Sequence, residues 1–151
     1  LTAYISTGSS TSSELEAILR RKALQLLTSG SRRCCVARYP VGYELSGVEE
    51  LGEAVKGCRV AFVMFFGRVC PYCKAFDPIF RHVGAKYADL ANFVKAEVER
   101  FALTASALGV MGTPTTFAFV DGRPAEALPG FAVAPVFEQF VQRNLRDARC
   151  G

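Results

Sequence analysis

Val60-Ala61-Phe62-Val63-Met64-Phe65-Phe66, then Gly67-Arg68-Val69, then Cys70-Pro71-Tyr72-Cys73 is the stretch that decides how the chain is read. The first seven residues are apolar and rich in Val and Phe, the pattern of a strand buried on both faces. Two cysteines separated by two residues then open a helix that is expected to run from about Cys73 to Tyr87. Such a pair can alternate between dithiol and disulfide with little backbone movement. At a helix N-terminus the unpaired N–H groups and the helix dipole favour a thiolate, the species that attacks disulfides. Cys70 is therefore the candidate nucleophile, and Cys73, one turn in, the shielded thiol that resolves the mixed disulfide. Pro71 restrains the turn between them, and Tyr72 is expected to cover the disulfide. The other meanings of this motif are half a zinc site or a structural disulfide. Zinc would need a second pair or histidines at ligand spacing, whereas the remaining candidates are the adjacent Cys34 and Cys35 and the sole histidine, His82. Redox chemistry is the favoured reading.

Downstream, Asn92-Phe93-Val94-Lys95-Ala96-Glu97-Val98-Glu99 alternates as a strand, and a short helix over Phe101–Leu108 leads to Gly109-Val110-Met111-Gly112-Thr113-Pro114-Thr115. Thr116 to Val120 and Arg123 to Leu128 read as a hairpin around Asp121-Gly122. A last amphipathic helix, about Val133 to Arg146, places Val133, Val136, Phe137, Phe140, Val141 and Leu145 on one face.

With these residues in view, the chain from about Tyr43 to Arg146 resembles the thioredoxin family. The matching stretches are Cys70-Pro71-Tyr72-Cys73-Lys74 with Pro78 in the following helix, Phe93-Val94-Lys95, Gly112-Thr113-Pro114-Thr115, Phe119-Val120-Asp121-Gly122, and Gly130. The resemblance implies an α/β thioredoxin fold, a central mixed sheet flanked by helices, here with an extra N-terminal helix. It implies a cis Pro114 beside the disulfide, with the Thr113 backbone turned towards a substrate strand, so Thr113, Pro114, Pro71 and Tyr72 form the substrate-binding set. It also implies a thiol–disulfide oxidoreductase that reduces protein disulfides, holds no cofactor or metal of its own, and is recharged by a flavin- and NADPH-dependent thioredoxin reductase. A protein-disulfide oxidase or isomerase would share these residues, and a binding or chaperone module on the same fold is the alternative outside enzymology.

Several positions depart from the family pattern. Met64 stands where thioredoxins usually carry a buried Asp that accepts the second cysteine's proton. Phe66 and Val69 replace flanking tryptophans, and the chain has no Trp at all. The Pro-Tyr dipeptide is typical of glutaredoxins and leans towards a more oxidising potential. Glu97, on the same strand face as Lys95, is the carboxylate nearest in sequence that could replace the missing acid, with water as the other possibility. His82 is expected on the outward half of the active-site helix, without a catalytic role.

The 151 residues suffice for one core, with the surplus at the N-terminus: an extension over 1–40 ahead of a thioredoxin-like domain over 41–151. Leu1 to Thr11 is polar and Ser/Thr-rich, and Ser13-Glu14-Leu15-Glu16 is a capping-box signature. Leu15, Ile18, Leu19, Ala23, Leu26 and Leu27 then recur at helical spacing as far as about Thr28, a helix expected to pack on the domain. A strand near Cys34–Arg38 or Tyr43–Leu45 leads to a short helix over Val48–Lys56.

The net charge of +4 comes from 13 Arg and 5 Lys against 14 acids, without a basic stripe interleaved with aromatics, so nucleic acid is not the expected partner. Apolar runs fall short of the roughly 20 residues of a membrane helix, and no membrane association is expected. No signal peptide is visible, although a chain starting with Leu is compatible with earlier removal of a segment. A cytoplasmic location is the expectation. In that setting Cys34, Cys35, Cys58 and Cys150 read as buried reduced thiols. Vicinal cysteines on a strand point to opposite faces, so at most one of Cys34 and Cys35 should readily meet Cys58 or Cys150.

Overall fold

The computed structural model describes residues 12–23 and 34–151. Helix α1 covers 12–23. The remaining elements are β1 (Tyr43–Glu44), α2 (Val48–Gly57), β2 (Val60–Phe66), α3 (Pro71–Lys86), β3 (Ala91–Glu97), α4 (Ala102–Leu108), β4 (Thr115–Val120), β5 (Arg123–Pro129) and α5 (Ala134–Asp147). They build one mixed sheet in the order β1-β3-β2-β4-β5. β1, β3 and β2 run parallel, and β4 and β5 run antiparallel.

The apolar run behaves as its composition requires: every residue of β2 is buried. Val60, Phe62, Met64 and Phe66 face a cluster with Phe76 and Phe80 of α3 and Phe137 and Phe140 of α5. Ala61, Val63 and Phe65 face the opposite cluster with Leu51 and Val55 of α2, Ala105 of α4 and Phe101 at the N-cap of α4. Phenylalanine fills the space a Trp-free core leaves, with Phe62 stacked on Phe93 at 4.9 Å and Phe76 meeting Phe137 edge-on at 5.1 Å. Gly84 allows α3 to approach the sheet, since a Cβ there would lie 3.0 Å from the Phe93 ring. At the hairpin, Asp121 (φ 53°) and Gly122 (φ 80°) both adopt the left-handed conformation that a tight turn between twisted strands demands.

Some expectations need correction. β3 ends at Glu97, and Glu99 lies in the turn beyond it. Neither Cys34–Arg38 nor all of Tyr43–Leu45 forms a strand: only Tyr43–Glu44 does, and Cys35 makes an isolated bridge with Cys58. On α5, Val133 is the N-cap and Val136 is exposed, so the buried stripe is Phe137, Phe140, Val141 and Leu145.

The four outer cysteines are not thiols. Cys34 is bonded to Cys150 and Cys35 to Cys58. Divergence of vicinal side chains, which argued against two pairings, is what permits both, because each cysteine meets a different partner. Together the bonds fasten the segment from Cys34 onward to the start of β2 and to the chain's last turn.

Helix α1 forms where the capping-box signature starts it, but its apolar stripe is not packed on the domain as expected. Leu15, Ile18 and Leu19 are 47–58% exposed. The two faces of the sheet's centre are already covered, one by α2 with α4 and the other by α3 with α5. Leu26, Leu27 and the helix stop near Ser29 to Ser31 lie outside the described residues.

Candidate functional site

The end of β2 and the start of α3 meet at Cys70. Cys70 is the N-cap of α3, with Pro71 at the first helical position, where a missing N–H costs nothing. Its Sγ accepts the Cys73 backbone N–H at 3.2 Å, so the sulfur itself occupies the capping position. Cys70 and Cys73 are bonded to each other. Both are buried in this state, Cys70 at 8% and Cys73 at 5% exposure, so Cys70 is less accessible than its place at a helix start suggested. Tyr72, expected to cover the disulfide, keeps 67% of its surface exposed.

The Thr113–Pro114 peptide is cis, as the resemblance implied. The loop it belongs to meets the disulfide directly. Thr113 Oγ1 donates to Cys70 Sγ at 3.4 Å, and the Thr113 carbonyl oxygen lies 3.5 Å from the same sulfur. The Pro114 carbonyl is taken by the Gly130 N–H at 2.7 Å, which ties this loop to the end of β5. Sequence reading assigned Thr113 only a backbone role. The side-chain contact was missed because the fold juxtaposes positions 43 residues apart.

Behind the disulfide lies a cavity of about 290 Å³ lined by Met64, Phe66, Arg68, Cys73, Asp77 and Lys95. Met64 of β2 pairs with Lys95 of β3 and Thr116 of β4. Lys95 Nζ lies 2.8 Å from Asp77 Oδ1, and Asp77 Oδ2 is 2.7 Å from Arg81 Nε. Burial pushes the Asp77 carboxyl up, but the bonds from Lys95 and Arg81 outweigh it and hold it below the usual carboxylate range. The acidic partner of Lys95 is thus Asp77 of α3, and its neighbour on β2 is the uncharged Met64. Glu97 is engaged by Arg68 at 3.3 Å and does not line the cavity, so it is not the replacement acid. Asp77 was overlooked because it follows the motif on a helix, where only the spacing of four from Cys73 signals a shared face. Thr116, fully buried, has a hydroxyl without a hydrogen-bond partner among the described residues. His82 is exposed, as expected.

A disulfide capping a helix, beside a cis-proline loop on a mixed sheet, defines the class of thiol–disulfide oxidoreductases. Comparison with known proteins narrows this. The family model for thioredoxin matches residues 48–143. A thioredoxin of Borreliella burgdorferi is 33% identical over 88 residues, 58% of this chain and 74% of the relative. A thioredoxin of Staphylococcus aureus is 33% identical over 86 residues, 57% of this chain and 83% of the relative. Among solved structures, a thioredoxin variant from Halobacterium salinarum superposes with a TM-score of 0.64 at 25% identity, covering 72% of this chain and 94% of that one. The chain belongs to the thioredoxin family. It is a protein-disulfide reductase acting by thiol–disulfide exchange, and disulfide-containing proteins are the substrate class that the family brings with it. Among the described residues no helix is long and apolar enough to cross a membrane.

Proposed function

We propose that Cys70 and Cys73 carry the reduction of protein disulfides, Cys70 as nucleophile and Cys73 as resolving thiol. The observation that supports this division is the capping geometry: the Cys70 sulfur receives the Cys73 N–H and the Thr113 hydroxyl, two donors that favour a thiolate there. The Cys70 thiolate attacks a substrate disulfide, forming a mixed disulfide as one substrate sulfur leaves as thiolate and takes up a proton. Cys73 then loses its proton and attacks Cys70 Sγ. The Cys70–Cys73 bond forms, the bond to substrate breaks, and the second substrate sulfur leaves reduced. Two electrons pass to the substrate. Thr113, which bonds the reacting sulfur, forms with Pro114, Pro71 and the exposed Tyr72 the proposed surface that meets the incoming polypeptide.

The oxidised pair must be recharged by a dithiol, for which a flavin- and NADPH-dependent thioredoxin reductase is the proposed partner. Reduction of insulin with dithiothreitol as electron source tests the reading. Wild type should accelerate precipitation of the insulin chains, and Cys70→Ser should match the uncatalysed rate. No acceleration by wild type would favour a binding module with incidental cysteines, and equal acceleration by both proteins would remove Cys70 from the chemistry.

The cytoplasmic expectation went with reduced outer cysteines. With Cys34–Cys150 and Cys35–Cys58 bonded, the proposed setting becomes a compartment, or an organism's cytosol, in which disulfides persist. Alkylation of the protein in its native cells, before lysis, tests this: these four cysteines should resist labelling.

A further inference from the structure

Resolution of the mixed disulfide requires Cys73 to give up its proton, and the sheet offers nothing to take it. The β2 residue on the Cys73 side is Met64, which has no titratable group. The cavity behind Cys73 nonetheless contains a carboxylate. Asp77 lies four residues further along α3, on the same helix face, and lines the same cavity. Its two oxygens are anchored by Lys95 and Arg81, at 2.8 and 2.7 Å, which fixes the side chain towards the cavity. Resting on the roles given above to Cys70 and Cys73, we propose that Asp77 is the proton acceptor for Cys73, with Lys95 and Arg81 as positioning residues.

As Cys73 attacks, its S–H bond breaks and the proton crosses the cavity to the Asp77 carboxylate. The Cys73 sulfur bonds to Cys70 Sγ, and the substrate sulfur departs with the electron pair. Asp77, 29% exposed at its side chain, then releases the proton to solvent. The charged groups facing this path are Lys95 from β3 and Arg68 from the loop after β2, with Lys74 and Arg81 on α3 itself. Glu97 of β3 and Glu44 of β1 are engaged by Arg68, and β4 contributes only the uncharged Thr116 hydroxyl. The two cations keep Asp77 ionised through the neutral range. It is therefore always ready to accept, but its weak basicity limits the gain to about tenfold, below the hundredfold or more of a matched base.

Protein whose active pair has been reduced selectively is mixed with one equivalent of 5,5′-dithiobis(2-nitrobenzoate), and thiolate release is followed from about pH 6 to about pH 10, spanning the ordinary thiol value near 8.5. The first release reports attack by Cys70 and the second reports resolution by Cys73. Asp77→Asn should slow the second release about tenfold below the Cys73 pKa, with the gap closing above it, where the thiol ionises unaided. Asp77→Glu should retain most of the wild-type rate, and Lys95→Met should show the Asn pattern in weaker form. An unchanged second release in Asp77→Asn overturns the proposal. So does slowing that persists at every pH and is shared by Asp77→Glu, the signature of a structural defect. Failure of wild type to give a second release would instead overturn the redox roles of Cys70 and Cys73 themselves.

Discussion

The Thr113 hydroxyl donates a hydrogen bond to the Sγ of Cys70 across 3.4 Å, joining the cis-proline loop to the N-cap of the active-site helix. A donor aimed at this sulfur stabilises it most when it is a thiolate, which is to say in the reduced protein. Stabilising the reduced form makes a disulfide pair more oxidising. Thr113 thus acts in the same direction as the Pro-Tyr dipeptide.

Thr113→Val keeps the shape and removes the donor. Taking that bond as worth about 1.4 kcal/mol, the Cys70 thiol pKa should rise by about one unit and the potential of the pair fall by about 30 mV. The pH dependence of iodoacetamide labelling gives the first quantity, and equilibration with a glutathione buffer gives the second. A pKa that stays or falls would remove Thr113 from the account.

Thr116 and Met64 form a cross-strand pair on the face that meets Cys73. Because the Thr116 hydroxyl is buried without a partner, Thr116→Val should stabilise the fold by about 1 kcal/mol, read from denaturant midpoints. Met64→Asp buries a carboxyl and should cost about 2–4 kcal/mol, more in the Thr116→Val background, where the neighbouring hydroxyl donor is gone. In an Asp77→Asn background, Met64→Asp should restore part of the lost resolution rate. Additive stabilities would mean that the two side chains do not interact.

The outer disulfides should act on stability and not on chemistry. Cys34–Cys150 closes a separation of 116 residues and Cys35–Cys58 one of 23. Chain-entropy scaling gives about 5 kcal/mol for the first and about 3 kcal/mol for the second. Paired alanine variants measured in denaturant should follow that order while reducing insulin as wild type does. A chain starting at Cys34 should retain both bonds and the activity, whereas one starting near Arg38 leaves Cys58 and Cys150 without partners. Loss of activity in a folded chain starting at Cys34 would place helix α1 in the site.

Acid should reveal the Asp77 pair. Its carboxyl is held below the ordinary value in the folded protein, so the stabilisation is complete above the unfolded-state pKa near 4 and is lost as pH falls through the lower folded value. Wild type should therefore lose stability below about pH 4 more steeply than Asp77→Asn. Parallel stability curves for the two proteins would contradict the depressed carboxyl.

The sequence made β2, the Cys70–Cys73 junction and the Asp121-Gly122 hairpin legible, because each depends on a local pattern, whereas the cis Pro114 came only from the family resemblance. Contacts made only by the fold were not legible. Asp77 meets Lys95 because α3 crosses β3, and Thr113 reaches Cys70 because a loop 43 residues away returns to the helix start. The pairing of Cys34 with Cys150 joins positions 116 residues apart, which no window of residues contains. Amphipathic spacing located α1 but not its burial, since periodicity does not say whether a surface remains to be covered.

The central claim, that Cys70 attacks and Cys73 resolves, is tested most directly by trapping. Cys73→Ser, reduced at Cys70 and incubated with disulfide-bonded insulin, should accumulate one mixed disulfide, which peptide mapping should place on Cys70. An absence of adduct, or adducts on Cys34, Cys35, Cys58 or Cys150, would contradict the account.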